Sequence, residues 1–155
     1  PDIAVSTDII VGFPGETDED FDKTRKVAEA GLIDYLHVFS YSDRPGTPAA
    51  AMADKVPAEV IKERNAILTR ISNRLRVAAH TRQVGETLGV IAEHKEPGAE
   101  YFWGVADNYI KVKLPGHLNG GKEIVTMRIT GACEGHVEGD VVGQKATLES
   151  PSATA

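Results

Sequence analysis

The chain has 155 residues, of which 41% are hydrophobic, and a formal net charge of −6 at pH 7. This length predicts one domain or two small ones, each with enough apolar residues for a core. No apolar run approaches the roughly 18 residues of a membrane span, and the first residues lack a signal-peptide pattern, so we expect a cytoplasmic protein without membrane contact. The single cysteine, Cys133, excludes an internal disulfide and a metal site built from cysteines alone.

The negative charge is distributed unevenly along the chain. Residues 1–54 carry a net charge of −7, residues 55–83 carry +5 and residues 84–155 carry −4. An evenly basic nucleic-acid-binding protein would not show this distribution. The basic middle segment could attract a polyanion, and a solvated helix face or a domain interface is the alternative explanation.

The first forty residues predict a β-α-β unit. Residues 4–12 form an apolar, β-branched strand that ends in a Gly-Phe-Pro-Gly turn. Thr17 is a good N-cap with Asp20 completing a capping box, and Gly31 is the predicted C-cap of the helix that follows. Residues 33–40 form a second strand, which should lie parallel to the first. Ligands of such units bind at the carboxyl ends of the strands.

Two parallel strands cannot make a stable sheet alone, because such sheets need neighbouring strands and covered faces. The chain also begins with Pro1 rather than Met. We therefore expect a piece of a longer protein, with further strands preceding residue 1. Within the second predicted strand, Phe39 is predicted to pack in the core.

A long helix and a small barrel are predicted next. Residues 41–56 form a loop, Pro57 begins a helix that ends near His80, and short strands follow near 86–94, 100–105, 108–114, 122–131 and 136–142. Predicted turns separate these strands at 97–98, 107–108 and 119–121. Five short strands favour an OB-like barrel, an architecture that often binds oligonucleotides. The predicted domains are 1–83 and 84–145, followed by a flexible tail at 146–155.

Four segments in the same order carry a family resemblance: TDIIVGFPGETDEDF, HVFSYSDRPGTPAA, VPAEVIKER and DNYIKV. They resemble the C-terminal part of the radical-SAM methylthiotransferases, and most of all the branch that acts on threonylcarbamoyladenosine next to the anticodon of tRNA. The resemblance runs from about Ile3 to about Val142. It implies an α/β plus all-β chain: the last part of a radical-SAM partial (β/α) barrel, a long connecting helix and a small RNA-binding TRAM barrel.

The resemblance also implies cofactors and a reaction. The full enzymes hold two 4Fe–4S clusters on cysteines, cleave S-adenosylmethionine to a radical, and insert a methylthio group at C2 of the adenine ring of tRNA. No cysteine precedes Cys133 here, so the ligands of both clusters are absent from this chain. We therefore expect no catalytic residue and no metal site in this chain, an inactive isolated fragment, and a monomer that binds tRNA.

The resemblance and the strand-end position together predict cofactor contacts. The predicted S-adenosylmethionine-binding residues are Gly12, Pro14, Gly15, Glu16, Tyr41 and Arg44. The carboxylate of Glu16 could accept a hydrogen bond from a ligand hydroxyl or amino group, or it could serve only as negative charge at the helix N-terminus. Arg44 could bind a carboxylate or phosphate, with a surface salt bridge as the alternative.

The predicted RNA surface lies in the barrel. Tyr101, Phe102 and Trp103 lie close in sequence to lysines, a combination that suits base stacking with phosphate neutralisation. In NYIKVKL, alternation places the lysines on one face and the apolar residues on the other. The predicted RNA-binding residues are Asn108, Tyr109, Lys111, Lys113 and Arg128.

Three alternatives stay open at this point. The same family includes enzymes that modify isopentenyladenosine in tRNA or an aspartate of a ribosomal protein. A non-catalytic RNA-binding module with a vestigial β-α-β appendage is the second alternative. A generic small-ligand α/β protein is the third, although it would need more strands than this chain holds.

Overall fold

The computed structural model describes residues 3–95, 97–116 and 124–145. The predicted turn at 119–121 and the predicted tail at 146–155 lie outside these residues. The chain divides into two compact units, one from Val5 to Arg76 and the other beginning at Val77. The division falls inside the long helix, seven residues before the predicted boundary at residue 83. In the described part of the chain, no helix combines the length and the apolar character that a membrane crossing requires.

The first unit contains the predicted β-α-β arrangement. Its elements are β1 (Ser6–Val11), α1 (Asp18–Glu29), β2 (Tyr35–Ser40) and most of α2 (Ala58–Thr81), with a short 3-10 helix at Pro48–Ala51 inside the predicted loop. β1 and β2 pair in parallel, with Ser6 opposite Tyr35 and Val11 opposite Ser40. The predicted parallel pair is therefore confirmed.

The ends of α1 follow from its capping residues. The Thr17 hydroxyl accepts a hydrogen bond from the Asp20 N–H at 3.2 Å, and the Asp20 carboxylate accepts one from the Thr17 N–H at 3.3 Å. This is the predicted capping box. The C-cap is Ala30 rather than Gly31, and Gly31 follows it with φ of 75°. The prediction was one residue late because glycine is needed at the left-handed position after the cap.

One face of the two-stranded sheet packs against the helices, and the other is open in this unit. Val11 and Leu36 belong to the buried core, with Phe21, Ala28, Leu68 and Ile71. On the opposite face, Ile10 and Phe39 lie side by side in register and are 54% and 52% exposed. Contrary to the prediction, Phe39 does not pack in the core of this unit, because strand alternation places Leu36 and Val38 on the covered face instead.

A serine of α2 occupies part of the β2 edge. The Ser72 hydroxyl accepts a hydrogen bond from the Leu36 N–H and donates one to the Leu36 carbonyl, both at 2.9 Å. Ser72 is 3% exposed, so water does not replace these bonds. Covering an edge with a helix prevents further strand pairing there. The described contacts therefore leave the edge of β1 as the place where this sheet could be extended.

Removing the Ser72 hydroxyl should destabilise the first unit. Ser72→Ala leaves a buried N–H and a buried carbonyl of Leu36 without their partner, which costs about 1–3 kcal/mol. The matched control is Thr69→Ala, an exposed hydroxyl on the same helix, expected to change stability by less than about 0.5 kcal/mol. Urea unfolding followed by far-ultraviolet circular dichroism measures both, and equal midpoints would contradict the assigned role of Ser72.

The second unit is a closed five-stranded barrel. Its strands are β3 (Thr87–His94), β4 (Tyr101–Ala106), β5 (Lys111–Pro115), β6 (Ile124–Ala132) and β7 (Val137–Lys145). They close in the order β3-β4-β5-β7-β6, with β5 and β7 parallel and the other pairs antiparallel. The predicted five-stranded barrel is confirmed. Its interior is filled by apolar residues that include Val90, Val112, Leu114, Val125, Met127 and Val137.

The end of α2 is fixed to this barrel by polar contacts. Nδ1 of the buried His80 lies 2.6 Å from the carbonyl oxygen of Cys133. The Gly85 N–H donates to the Ile129 carbonyl at 2.8 Å. These contacts place the last turn of α2 in the second unit, which explains why the division precedes the predicted boundary.

Candidate functional site

The loop at the carboxyl end of β1 is held by backbone and side-chain bonds. Gly12 has φ of 77°, and a Cβ there would lie 2.3 Å from Ile61 Cγ1, so only glycine fits. The Glu16 carboxylate accepts a hydrogen bond from the Gly12 N–H at 2.7 Å. The Gly15 N–H donates to the Asp54 carbonyl at 2.7 Å. The loop is therefore ordered by partners within the first unit.

A buried arginine lies beneath this loop. Arg64 is 5% exposed and donates to Glu16 Oε2 and to Asp18 Oδ1, both at 2.6 Å. Its guanidinium also lies over the Phe21 ring. Burial lowers the pKa of Arg64, and the hydrogen bonds to Asp18 and Glu16 more than offset it, so the net pKa is raised.

This arrangement changes the role predicted for Glu16. Its carboxylate was expected to bind a ligand hydroxyl or amino group, or to act only as helix N-terminal charge. The structure instead gives it two partners in the protein, the Gly12 N–H and Arg64, and its side chain is only 12% exposed. Glu16 therefore orders the loop.

A second cluster follows β2. The Tyr41 N–H donates to the Val11 carbonyl, which places Tyr41 beside the end of β1. Its ring meets Phe13 edge-on at 5.4 Å, and its hydroxyl donates to Asp43 at 3.0 Å. Lys55 donates to Asp43 at 2.5 Å. The hydrogen bond from Lys55, and to a lesser degree that from Tyr41, lowers the pKa of Asp43. Burial, followed by the hydrogen bond to Asp43, raises the pKa of the Tyr41 hydroxyl.

The predicted cofactor residues are brought together only in part. Gly12, Pro14 and Glu16 are buried or nearly so, whereas Gly15 and Arg44 are exposed and Tyr41 is half-buried. The loop and Tyr41 adjoin one another at the ends of the two strands. Arg44 lies three residues beyond Tyr41, in the turn before the 3-10 helix, where its carbonyl accepts from Thr47.

The barrel carries aromatic rings and lysines on one outer surface. We call Tyr101, Trp103, Lys111, Lys113 and His136 the aromatic–lysine face. Trp103 of β4 pairs with Lys113 of β5. The Lys111 ammonium lies 3.7 Å from the Trp103 ring centre, and the Lys113 ammonium lies 4.9 Å from that of Tyr101. The Trp103 ring also meets Tyr101 and His136 edge-on, at 5.1 and 5.2 Å.

The predicted RNA-binding residues are distributed over three environments. Lys111 is exposed and Lys113 half-buried on the outer face, while Val112 and Leu114 lie in the core. Asn108 is 6% exposed, its amide donates to Gln83 and its carbonyl accepts from the Ile110 N–H, so it shapes the turn instead of presenting a surface. Arg128 is exposed on β6, which β7 separates from β5.

Phe102 also differs from its aromatic neighbours in the sequence. It packs against the barrel core, whereas Tyr101 and Trp103 point outward. The aromatic cluster predicted from sequence therefore divides into a core ring and two surface rings, as strand alternation requires.

Sequence reasoning missed three residues of these sites. Two of them are Arg64 and Ser72. Both lie at helical spacing among the apolar residues of α2, on the stripe that faces the core. A polar residue at such a position indicates a buried side chain that needs a hydrogen-bond partner. The third residue is His136, which belongs to no motif in the sequence. Nothing in its local sequence places it against Trp103, which lies 33 positions earlier.

Acidification should weaken the barrel through His136. Burial is the main cause that lowers the pKa of His136, helped by Lys113, His80 and Lys111 and opposed by Glu138. The folded state therefore binds the proton less readily than the unfolded chain, whose histidine pKa is about 6.5. This contribution to stability is present above that pH and is lost as the pH falls through the folded pKa.

The measurement is the urea midpoint at pH 7.5 and at pH 5.5, followed by Trp103 fluorescence, since the chain has one tryptophan. We expect His136→Phe to reduce the difference between the two midpoints. His37→Phe, which changes an exposed histidine on β2, should leave it unchanged. An undiminished pH dependence in His136→Phe would assign the effect to another group.

Comparison with known proteins finds relatives that are named as tRNA-modifying enzymes. A tRNA-2-methylthio-N(6)-dimethylallyladenosine synthase of Symbiobacterium thermophilum is 38% identical over 149 residues, which cover 96% of this chain and 32% of that protein. The synthase of the same name from Pelotomaculum thermopropionicum is 37% identical over 140 residues, covering 90% of this chain and 31% of that protein. No family model matches the chain.

A third relative is more similar over a shorter stretch. The tRNA-2-methylthio-N(6)-dimethylallyladenosine synthase of Clavibacter michiganensis subsp. michiganensis is 50% identical over 96 residues, 62% of this chain and 18% of that protein. The chain thus spans between about a fifth and a third of the length of these relatives. All three are named for the dimethylallyl, or isopentenyl, form of the modified adenosine.

Proposed function

We propose that this chain is part of a radical-SAM tRNA methylthiotransferase, and that its barrel, resembling a TRAM domain, binds the tRNA substrate. The observation that carries the proposal is the similarity to tRNA methylthio synthases over 96% of the chain. The structure supports it independently through a small barrel whose outer surface joins aromatic rings to lysines.

The aromatic–lysine face suits unpaired RNA. Nucleobases stack on aromatic side chains at about 1–3 kcal/mol per base, and lysines neutralise the adjacent phosphates. The face lies on β4 and β5, the second and third strands of the barrel, and OB-folds use that face for oligonucleotides. A base that stacks on Trp103 would replace the Lys111 ammonium over the ring, and Lys111 could then bind a phosphate.

The first unit would contribute to the cofactor side of the full enzyme. We propose that the loop backbone from Gly12 to Gly15, with Tyr41 and Arg44, faces S-adenosylmethionine, and that Glu16 acts by holding this loop. Bound S-adenosylmethionine would supply the radical precursor. The exposed Ile10–Phe39 pair on the open sheet face is consistent with a larger barrel interior. The iron–sulfur clusters do not fit this chain, because its one cysteine cannot supply three thiolates.

The proposed substrate is N6-dimethylallyladenosine in tRNA. The sequence motifs most resemble the threonylcarbamoyl branch, but the relatives are named for the dimethylallyl form. Their names therefore support the isopentenyl alternative that the sequence analysis left open.

The upstream gene sequence tests the enzymatic part of this proposal. We expect the codons before Pro1 to encode a CxxxCxxC motif and, farther upstream, three cysteines for the auxiliary cluster. An upstream reading frame without a CxxxCxxC motif would contradict the assignment to a radical-SAM enzyme, and the barrel would then be a binding module alone.

A further inference from the structure

A groove of about 490 Å³ opens on the outside of the barrel, where β3 lies between β4 and β6. Its volume is within the range of small-ligand sites. Gly89 leaves its floor without a side chain, and Ile91 is 44% exposed beside it. Its lining residues include Gly89, Ile91, Val105, Asp107, Tyr109 and Thr126.

A constrained tyrosine stands at the rim of this groove. Tyr109 has φ of 64° and is 83% exposed. Left-handed backbone is strained for a tyrosine and persists only where the surroundings fix it. The Tyr109 N–H donates to the Ala106 carbonyl at 2.9 Å, and the buried Asn108 binds both Gln83 and the Ile110 N–H. The turn therefore fixes the backbone of Tyr109 and leaves its ring exposed to solvent.

Asp107 is the charged residue among those that line the groove. Its N–H donates to the Gly89 carbonyl at 3.0 Å, and its Oδ2 lies 3.6 Å from where a Cβ on Gly89 would be. A carboxylate accepts hydrogen bonds and repels phosphate, so it selects a ligand that presents N–H donors. The Watson–Crick edge of guanine presents two adjacent donors, N1–H and the N2 amino group, whereas adenine presents one amino group.

The groove is continuous with the aromatic–lysine face. Val105 lines the groove and pairs across β4 and β5 with Lys111. A strand of RNA whose phosphate lies on Lys111 could therefore place the adjoining base in the groove. We propose that the groove binds an unpaired guanine base, with Tyr109 stacking on the base and Asp107 accepting its N–H groups. This inference rests on the proposed RNA binding by the barrel.

The test measures binding of the whole chain to octameric oligouridines that contain one central guanosine, inosine or adenosine, by fluorescence anisotropy. We expect the guanosine oligomer to bind about fivefold or more tightly than the adenosine oligomer, with inosine between them because it lacks the N2 amino group. Asp107→Asn should remove this order. Tyr109→Gly should weaken the guanosine oligomer about fivefold or more.

Tyr109→Gly also separates binding from folding. Glycine suits the positive φ, so this variant should unfold at the same or a higher temperature while binding more weakly. Lys113→Ala should weaken all three oligomers equally and keep their order. Equal affinities in the unchanged chain, or a guanosine preference that survives Asp107→Asn, would overturn the guanine site while leaving RNA binding intact. Failure of every oligomer to bind would overturn both the guanine site and the proposed binding of unpaired RNA by the barrel.

Discussion

Arg64→Ala should unfold or strongly destabilise the first unit. The substitution leaves the buried Glu16 carboxylate without its cation and removes the hydrogen bonds that join α2 to the β1 loop and the start of α1. Breaking a buried ion pair by removing one partner costs about 3–5 kcal/mol. Hydrogen exchange followed by mass spectrometry over residues 12–30 should show rapid exchange in the variant.

A matched control separates this effect from loss of charge on the helix. Arg70→Ala removes an exposed arginine from α2 and should change stability by less than about 0.5 kcal/mol. Arg64→Lys keeps the charge but cannot reach two carboxylates with a planar fork, so it should fall between the two. If Arg64→Ala exchanged no faster than Arg70→Ala, the ion pairs would have no structural role.

The double variant Lys111→Ala, Lys113→Ala should bind tRNA much more weakly than the unchanged chain at low salt. Each lysine that contacts an unpaired strand contributes about 0.7 to the slope of log affinity against log salt, so the slope should flatten by about 1.4. Titration of tRNA at several salt concentrations, followed by Trp103 fluorescence, measures both affinity and slope.

Two single variants serve as controls for this experiment. Lys26→Ala removes an exposed lysine from α1, outside the barrel, and should leave affinity and slope unchanged. Arg128→Ala tests another predicted RNA-binding residue, which lies on β6 and is separated from the strand of the lysines by β7. An unchanged slope in the double variant would place the RNA on another surface.

The elements of both units could be predicted because their patterns are local. The apolar run before Gly12, the capping residues around Thr17 and the alternation in NYIKVKL each depend on a few adjacent residues. The five barrel strands follow from short apolar runs separated by turn residues. That these strands close into a barrel depends on the pairing of β3 with β6, which are distant in the sequence.

The details of the sites depend on partners that are distant in sequence. The sequence around Glu16 does not show that its carboxylate has a partner, because that partner, Arg64, lies 48 positions later. Phe39 was predicted to be a core residue, because the sequence of β2 does not show which face of the sheet the helices cover. Asn108 and Tyr109 are adjacent, yet the turn buries one and exposes the other. Only the three-dimensional arrangement assigns these side chains to core or surface.

The most direct test of the central proposal is the nucleoside content of tRNA from the source organism after deletion of the gene that encodes this chain. Liquid chromatography with mass spectrometry should show loss of 2-methylthio-N6-dimethylallyladenosine and accumulation of N6-dimethylallyladenosine, with restoration by the intact gene. Unchanged levels of the methylthio nucleoside would contradict the proposed function. Loss of the methylthio form of threonylcarbamoyladenosine instead would keep the reaction and correct the substrate.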